Sequence, residues 1–374
     1  MIRIINGRIL DPARGIDTVG DICIAGSTIV SPEAMGPGAC ETIDASGKLV
    51  TPGLVDFHLH AYNTGSALGI PLDPVCAASG VTTAVDAGTS GHITAAAFRG
   101  ALSGTVTRLK ALLSCSPEGL LSLRFHERSD PALFDKAAMK EVVTAFPDLF
   151  IGVKIRVSAD VADAFGLAGL EAAVSIAEDL GLPLVVHTTN PPASADAIAS
   201  MLRPGDVFTH AFHGTGHTIL KDGRVRGAVR KARERGVLFD DCHGRAHFAF
   251  STLDAALADG FFPDMISSDI IAPSAFRQPL GGLPMVLSRY LASGADLPEI
   301  LTACVVNPAK FLGLEKDIAS LAPGTCADVA VFSPLAKRTV FRDAFGKERV
   351  GETVLVPEVT IRQGTIVYRS YGSY

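Results

Sequence analysis

Eight short apolar runs recur along the middle of the chain, at residues 54–60, 82–88, 108–114, 150–157, 183–187, 207–210, 237–242 and 265–269. Between most of them lie Ala-rich stretches of helical character, such as 169–180, 225–235 and 253–259. Eight β-runs with intervening helices over ~260 residues is the count and size of a (β/α)8 TIM barrel. A doubly wound open sheet is the competing α/β arrangement, and it gives no reason for eight. No Gly-x-Gly-x-x-Gly opens a helix and no Walker-type lysine motif is present, so a nucleotide cradle is unsupported.

Both ends of the chain have a different texture, rich in β-formers and turn signals. Residues 2–5 and 8–10 flank Asn6-Gly7, a strong hairpin signal, and 21–25 and 28–30 flank Gly26-Ser27 in the same style. Runs at 328–332, 353–362 and 365–369 repeat the pattern, with Gln363-Gly364 between the last two. Neither end has enough alternating apolar residues to close a core alone. The two are therefore expected to pair into one small β-sandwich domain, residues 1–53 plus 320–374, with the barrel of residues 54–319 inserted between its halves.

At 48% hydrophobic the chain of 374 residues can bury a sizeable core, which excludes an intrinsically disordered protein. Net charge is −6, from 33 Lys and Arg against 39 Asp and Glu, and no basic run occurs. Nucleic acid and anionic membranes are thus unexpected partners, and a small-molecule substrate is the expected one. The seven cysteines include no C-x-x-C pair, and the N-terminus lacks the apolar core of a secretory leader. No stretch reaches the ~18 apolar residues of a membrane span. The expectation is a soluble, cytoplasmic protein.

Several runs end in a metal-ligand residue type. His58 and His60 end the first, and a spacing of two puts both imidazoles on one face of a strand. His187 ends the fifth, His210 the sixth and Asp269 the eighth. In a barrel these ends converge on the face where active sites sit. Each histidine alone reads as a hydrogen-bonded core residue, but four of them with an aspartate at strand ends read as a metal site. In the fourth run Ile151, Val153, Ile155 and Val157 share one parity, which should face the helices. That leaves Lys154 and Arg156 pointing inward. A buried ammonium is costly and cannot ligate a cation. Lys154 is then either paired with a carboxylate or carboxylated by carbon dioxide to an anionic carbamate.

Pro52-Gly-Leu-Val-Asp56-Phe-His58-Leu-His60 resembles the first-strand motif of the amidohydrolase superfamily. Lys154, His187, His210, Asp269, Asn307-Pro-Ala-Lys310 and Gly324-Thr-Cys-Ala-Asp328 extend the resemblance over essentially the whole chain. The resemblance implies a binuclear centre, usually zinc, bridged by a carboxylated lysine. By position, His58, His60 and Asp269 would hold the more buried ion, His187 and His210 the more exposed one, and Lys154 would bridge them. A hydroxide between the metals would be the nucleophile, with catalytic Asp269 passing its proton to the leaving group. Relatives that serve only as scaffolds on this fold would be expected to lose ligands, and all six are present here. A homo-oligomer is a further implication of the resemblance.

Within the superfamily the chain is similar to a dihydroorotase-like amidohydrolase and deacetylase subgroup, through Lys154-Ile-Arg156, His187-Thr-Thr-Asn190, Thr209-His210-Ala-Phe-His213 and Asp241-Cys-His243-Gly244. This implies cleavage of an acetyl or acyl amide or ester of a small carboxylate-bearing (R)-acid or N-acyl amino acid. The alternative is a cyclic amidohydrolase opening a dihydroorotate-, hydantoin- or imide-like ring. Typical dihydroorotases carry an arginine where Tyr62 stands. Arg156 either binds the substrate carboxylate or closes an internal salt bridge. His243 contacts substrate or bonds to backbone, and Asn190 orients substrate or, more in keeping with its place, caps the helix that follows. Cys242 beside His243 is not expected to act as a nucleophile.

Overall fold

The computed structural model describes residues 1–35, 38–122, 124, 127–276 and 282–371. Positions 36–37 and 372–374 of the expected terminal unit, and 123, 125–126 and 277–281 of the expected barrel, lie outside the described residues.

All eight middle runs form strands: β1 (Leu54–Leu59), β2 (Val81–Asp86), β3 (Arg108–Ser114), β4 (Phe150–Arg156), β5 (Leu184–His187), β6 (Val207–Thr209), β7 (Leu238–Cys242) and β8 (Met265–Ser267). Each pairs in parallel with its neighbour in the chain, in the order β1 to β8. The ring closes at the C-terminal ends of the strands. There Leu59 bridges Ile270, and Asp56 accepts hydrogen bonds from Ser268 N (3.0 Å) and Ser268 Oγ (2.5 Å).

Val85, Leu112, Val185, Val207 and Met265 pack into one fully buried cluster, an apolar layer of the kind that fills a barrel. Because strand side chains alternate, His187, Thr209 and Ser267, each two residues further on, share that inward face. Val153, Ile155 and Val157 instead join the outer cluster with Leu170, Ala173 and Ala177 of helix Ala168–Leu180, as their parity demands. Ile151 departs from the expected alternation. A register shift between β3 and β4 leaves it unpaired, and it packs against the inner cluster instead.

The chain ends do pair. Leu49–Pro52 runs antiparallel to the start of Val329–Arg342, and the terminal strands form one hydrogen-bonded sheet of eight. Ile2, Ile4, Ile22, Ile24, Val329, Val331, Val359 and Ile361 give that sheet its own buried cluster. Gly26-Ser27 and Gln363-Gly364 turn hairpins as expected.

Asn6-Gly7 does not. Residues 2–11 are one strand with a bulge, where Asn6 takes φ +60° and the register shifts between Ile4 and Gly7. Ile4 and Ile9 are an odd number of residues apart and would face opposite ways in a regular strand. The bulge returns both to one core. It also lets the strand change partner, from Glu41–Asp44 to Leu49–Pro52.

The C-terminal hairpin is longer than its apolar runs indicate. Its arms are Val329–Arg342 and Glu348–Arg362, and residues 334–338 of the first arm, all exposed, carry no burial pattern to mark them as strand. Its tip reaches the barrel. Asp343 Oδ2 accepts from Phe250 N (3.0 Å), and Ala344 N donates to the Phe248 carbonyl (3.1 Å).

Candidate metal centre

The inward ends of five strands bring the six sequence-predicted ligand positions together. His58 and His60 come from the end of β1, Lys154 from β4, His187 from the last position of β5, His210 from just beyond β6 and Asp269 from just beyond β8. None is more than 7% exposed. His210 and Asp269 sit at φ +59° and +49°, so the backbone leaves the β region as each strand ends. Such left-handed residues other than glycine cost on the order of 1–3 kcal/mol and concentrate at functional sites.

Lys154 Nζ lies 3.2 Å from His58 Nε2, and among the described residues it makes no ion pair. His60 Nε2 is 3.3 Å from Asp269 Oδ1, and His58 Nε2 is 3.8 Å from the same oxygen. The rings of His187 and His210 stand 4.2 Å apart. Gly88 makes room for the lysine. At φ +87° it packs so closely that a Cβ there would lie 2.8 Å from Lys154 Cβ and Cγ.

A second layer sets which nitrogen each histidine presents. Thr89 Oγ1 donates to Asp86 Oδ2 (2.8 Å), so it must accept from His60 Nδ1–H (2.8 Å). The same relay recurs at His58. Thr209 Oγ1 donates to Asp240 Oδ2 (2.5 Å) and accepts from His58 Nδ1–H (3.2 Å). The Cys242 carbonyl can only accept, so His210 Nδ1 donates to it (2.9 Å). His58 and His210 therefore turn an unprotonated Nε2 towards the centre, which is how outer partners prepare metal-ligating histidines, while His60, fixed by Thr89, turns its Nε2 to Asp269.

The charges agree. Burial holds the imidazoles of His58, His187 and His210 well below their ordinary pKa, leaving them neutral and able to donate lone pairs. Burial also lowers the Lys154 pKa, partly opposed by Glu127. For Asp269, burial would raise the pKa, but the hydrogen bond from His60 leads the effects that outweigh it and hold the carboxyl below its usual range. Asp240 is pushed up to about 7 by burial.

A metal fits this donor set. His187 Nε2 and His210 Nε2 are buried with no hydrogen-bond partner, a condition that a ligated ion relieves. Among the described residues three groups offer ligand atoms within 4.8 Å of one another: His58, His60 and Asp269; His187, His210 and His247; and His58, His210 and Cys242. Neutral imidazole and carboxylate donors suit zinc and its neighbours in the first transition row. Since outer partners typically carry 10- to 100-fold in metal affinity, Thr209→Val should weaken ion binding by about that factor. Chelator competition measures it, and unchanged affinity would remove the Asp240–Thr209 relay from the site.

The centre opens into a cavity of about 60 Å³, walled on one side by Leu68, Leu120 and Ile271 and on the other by Arg156, His187, His247 and Glu127. Arg156 is on that wall as predicted, and it is also paired: Nε donates to Ser158 Oγ (2.6 Å) and NH2 to Asp160 Oδ2 (2.7 Å). The expected substrate contacts His243 and Asn190 do not line the cavity. His243 Nε2 donates to Asp241 Oδ2 (2.9 Å), Nδ1 accepts from Arg289, and the ring stacks on Phe248 at 3.8 Å. Asn190 does not cap the next helix either. Ser194 does, with Oγ accepting from Ala197 N, while the Asn190 carbonyl accepts from Ala159 N. Burial pushes the Cys242 thiol well up, against a nucleophilic role.

Sequence reasoning missed His247 and the outer residues Thr89, Thr209, Asp86 and Asp240. The only sequence signal for His247 is its place four residues beyond His243.

Comparison with known proteins agrees with this geometry. The family model described as "Amidohydrolase family" matches residues 49–356. A deacetylase of Agrobacterium fabrum is 31% identical over 316 residues, 84% of this chain and 76% of that protein. A deacetylase of Enterococcus faecalis is 30% identical over 88% of this chain and 89% of its own length. Crystal structures of an adenine deaminase and of a dihydroorotase each superpose with a TM-score of 0.89 at 28% identity. Both cover 99% of this chain, with 99% and 98% of their own chains matched. No helix among the described residues is long and apolar enough to cross a membrane. With a barrel of this topology, a ligand cluster at its strand ends and a family match across most of its length, the chain belongs to the amidohydrolase family and is a metal-dependent hydrolase acting on C–N bonds.

Proposed function

We propose that the protein removes an acetyl or similarly small acyl group from a small acid, with two divalent ions, zinc by donor type, held by His58, His60 and Asp269 and by His187 and His210, and bridged by carboxylated Lys154. The observation that carries the substrate class is Arg156 on the wall of the same cavity as the ligand cluster. Its Nε and NH2 are engaged by Ser158 and Asp160, which leaves NH1, 3.9 Å from Glu127 Oε2, as the charged donor for a substrate carboxylate. A volume of about 60 Å³ is roughly that of two water molecules, so the enclosed part takes a small acyl group and the rest of the substrate extends outward. Tyr62, where dihydroorotases carry a cation, is buried against Phe98 in the outer core and offers a ring carboxylate nothing. The deacetylase relatives support the same reading.

Bound ions would supply a Lewis acid for the scissile carbonyl and a water acidified to a pKa of ~7. The side chains do the rest. Asp269, ionised and held by His60, takes the proton of the attacking water and delivers it to the leaving nitrogen or oxygen. Arg156 fixes the acid end, and Leu68, Leu120 and Ile271 exclude water from the apolar side.

The test is a hydrolysis panel of N-acetyl and O-acetyl acids, their amides without the carboxylate, dihydroorotate and hydantoin. Acylated acids should turn over, with KM rising at least about tenfold when the carboxylate is removed or Arg156 becomes Met, a loss of ~1.4 kcal/mol. Faster ring opening of dihydroorotate or hydantoin would replace this reading with the cyclic-amide one.

A further inference from the structure

We propose that His247 is a third imidazole of the exposed half of the centre, joining His187 and His210 to hold the second ion. The inference rests on the binuclear reading above and adds a ligand to it.

His187, His210 and His247 each offer a nitrogen within 4.8 Å of the others. Their ring centroids form a compact triangle with sides of 4.2, 4.3 and 5.0 Å. Among the described residues neither nitrogen of His247 has a hydrogen bond. Nδ1 is buried without a partner, and Nε2 lies 3.6 Å from Asp269 Oδ2, beyond hydrogen-bond range. The Nε2 atoms of His187 and His210 are left open in the same way. Three neighbouring imidazoles, each with a buried ring nitrogen that has no hydrogen-bond partner, are costly unless something binds them together.

The loop after β7 is built to put His247 there. Gly244, at φ +51°, passes directly over Asp269. A Cβ on it would lie 2.2 Å from Asp269 Oδ2 and 2.7 Å from His247 Cδ2, so a side chain at this position would displace both residues. Gly244 N donates to the Ser268 carbonyl (3.1 Å) and His247 N to the His243 carbonyl (3.2 Å). On the far side Phe248 and Phe250 are held by Ala344 and Asp343 of the hairpin tip. The stacked, doubly bonded His243 thus serves as the anchor of the turn that presents His247.

The test loads metal-free protein with cobalt, dialyses it against graded chelator, and counts ions per chain by elemental analysis alongside the visible spectrum. Wild type should retain two ions. His247→Ala and His247→Gln should keep the first and release the second at least about 10-fold more readily, since losing a ligand costs no less than losing an outer partner, with the spectrum of the second equivalent altered by loss of a nitrogen ligand. The Gln variant preserves length and polarity if the Ala variant does not fold. If both ions are held as tightly as in wild type with an unchanged spectrum, the inference is overturned, even where hydrolysis falls, and His247 acts on substrate instead. Fewer than two ions in wild type would overturn the binuclear reading as well.

Discussion

Lys154→Ala should leave a folded barrel that holds fewer ions and hydrolyses its substrate on the order of 10³-fold more slowly, equivalent to several kcal/mol of lost transition-state stabilisation. The argument begins with burial. Lys154 is 3% exposed, makes no ion pair among the described residues, and faces a histidine nitrogen that carries a lone pair. An ammonium in that place would be both desolvated and repelled by any cation bound beside it. Burial already favours the neutral amine, the form that combines with carbon dioxide. A carbamate on Lys154 would turn a misplaced cation into an anion beside the ligand cluster. Growth in labelled bicarbonate should therefore give a carbamate carbon signal in wild type that is absent from the variant, and a small added carboxylic acid should restore part of the variant's activity. Full metal content and full activity in Lys154→Ala would sink the bridging role.

Asp269→Asn should lower kcat by about 10²- to 10⁴-fold, the range general acid–base groups contribute, while losing less metal than the lysine variant, because the amide retains one oxygen donor. The pH dependence separates the two carboxylate functions. Burial alone would raise the Asp269 pKa, but the hydrogen bond from His60 leads the effects that lower it further than burial raises it. A depressed carboxyl stays charged as pH falls towards ~4, the ordinary aspartate value. The acid limb of the wild-type rate profile should accordingly lie no higher than expected from loss of the histidine ligands to protonation, and an aspartate titrating at or above its ordinary value would contradict this assignment. Rates of Asp269→Asn within a factor of a few of wild type would remove it from the chemistry.

Much of this was legible in the order of residues. Eight runs of strand character predicted the barrel, and each observed strand falls on one of them to within a residue or two. Metal-binding residue types at the ends of those runs predicted the cluster, because a strand's last inward side chain must point at the barrel mouth once the ring closes. The parity of β4 put Lys154 on the inner face, and it is there. The same rule failed at Ile151, where a bulge breaks the alternation, and at Asn6-Gly7, where a left-handed residue served a bulge rather than a turn. At Asn6-Gly7 the local signal did mark a departure from regular strand, but whether a turn or a bulge depended on a partner strand elsewhere in the chain; at Ile151 the sequence pattern read as regular alternation, and only pairing with β3 shows the bulge.

His247, Thr209 and Asp240 show where pattern reading stops. Thr209 looks like one more strand residue, and Asp240 lies on the next strand. They orient His58, 151 residues before Thr209, only because barrel closure brings β1 and β6 to face each other across the interior. His243 had the more suggestive sequence context, yet its ring turns to Asp241 and Arg289 and becomes the anchor of a loop. The histidine that reaches the centre is four residues later. Strand periodicity and residue type specify which way a side chain leaves a regular element, and they brought out the candidate ligand positions, while the division of those positions between two ions bridged by Lys154 is what the family resemblance implies. Loop paths, bulges and contacts across the ring depend on packing between distant segments, and no local pattern encodes them.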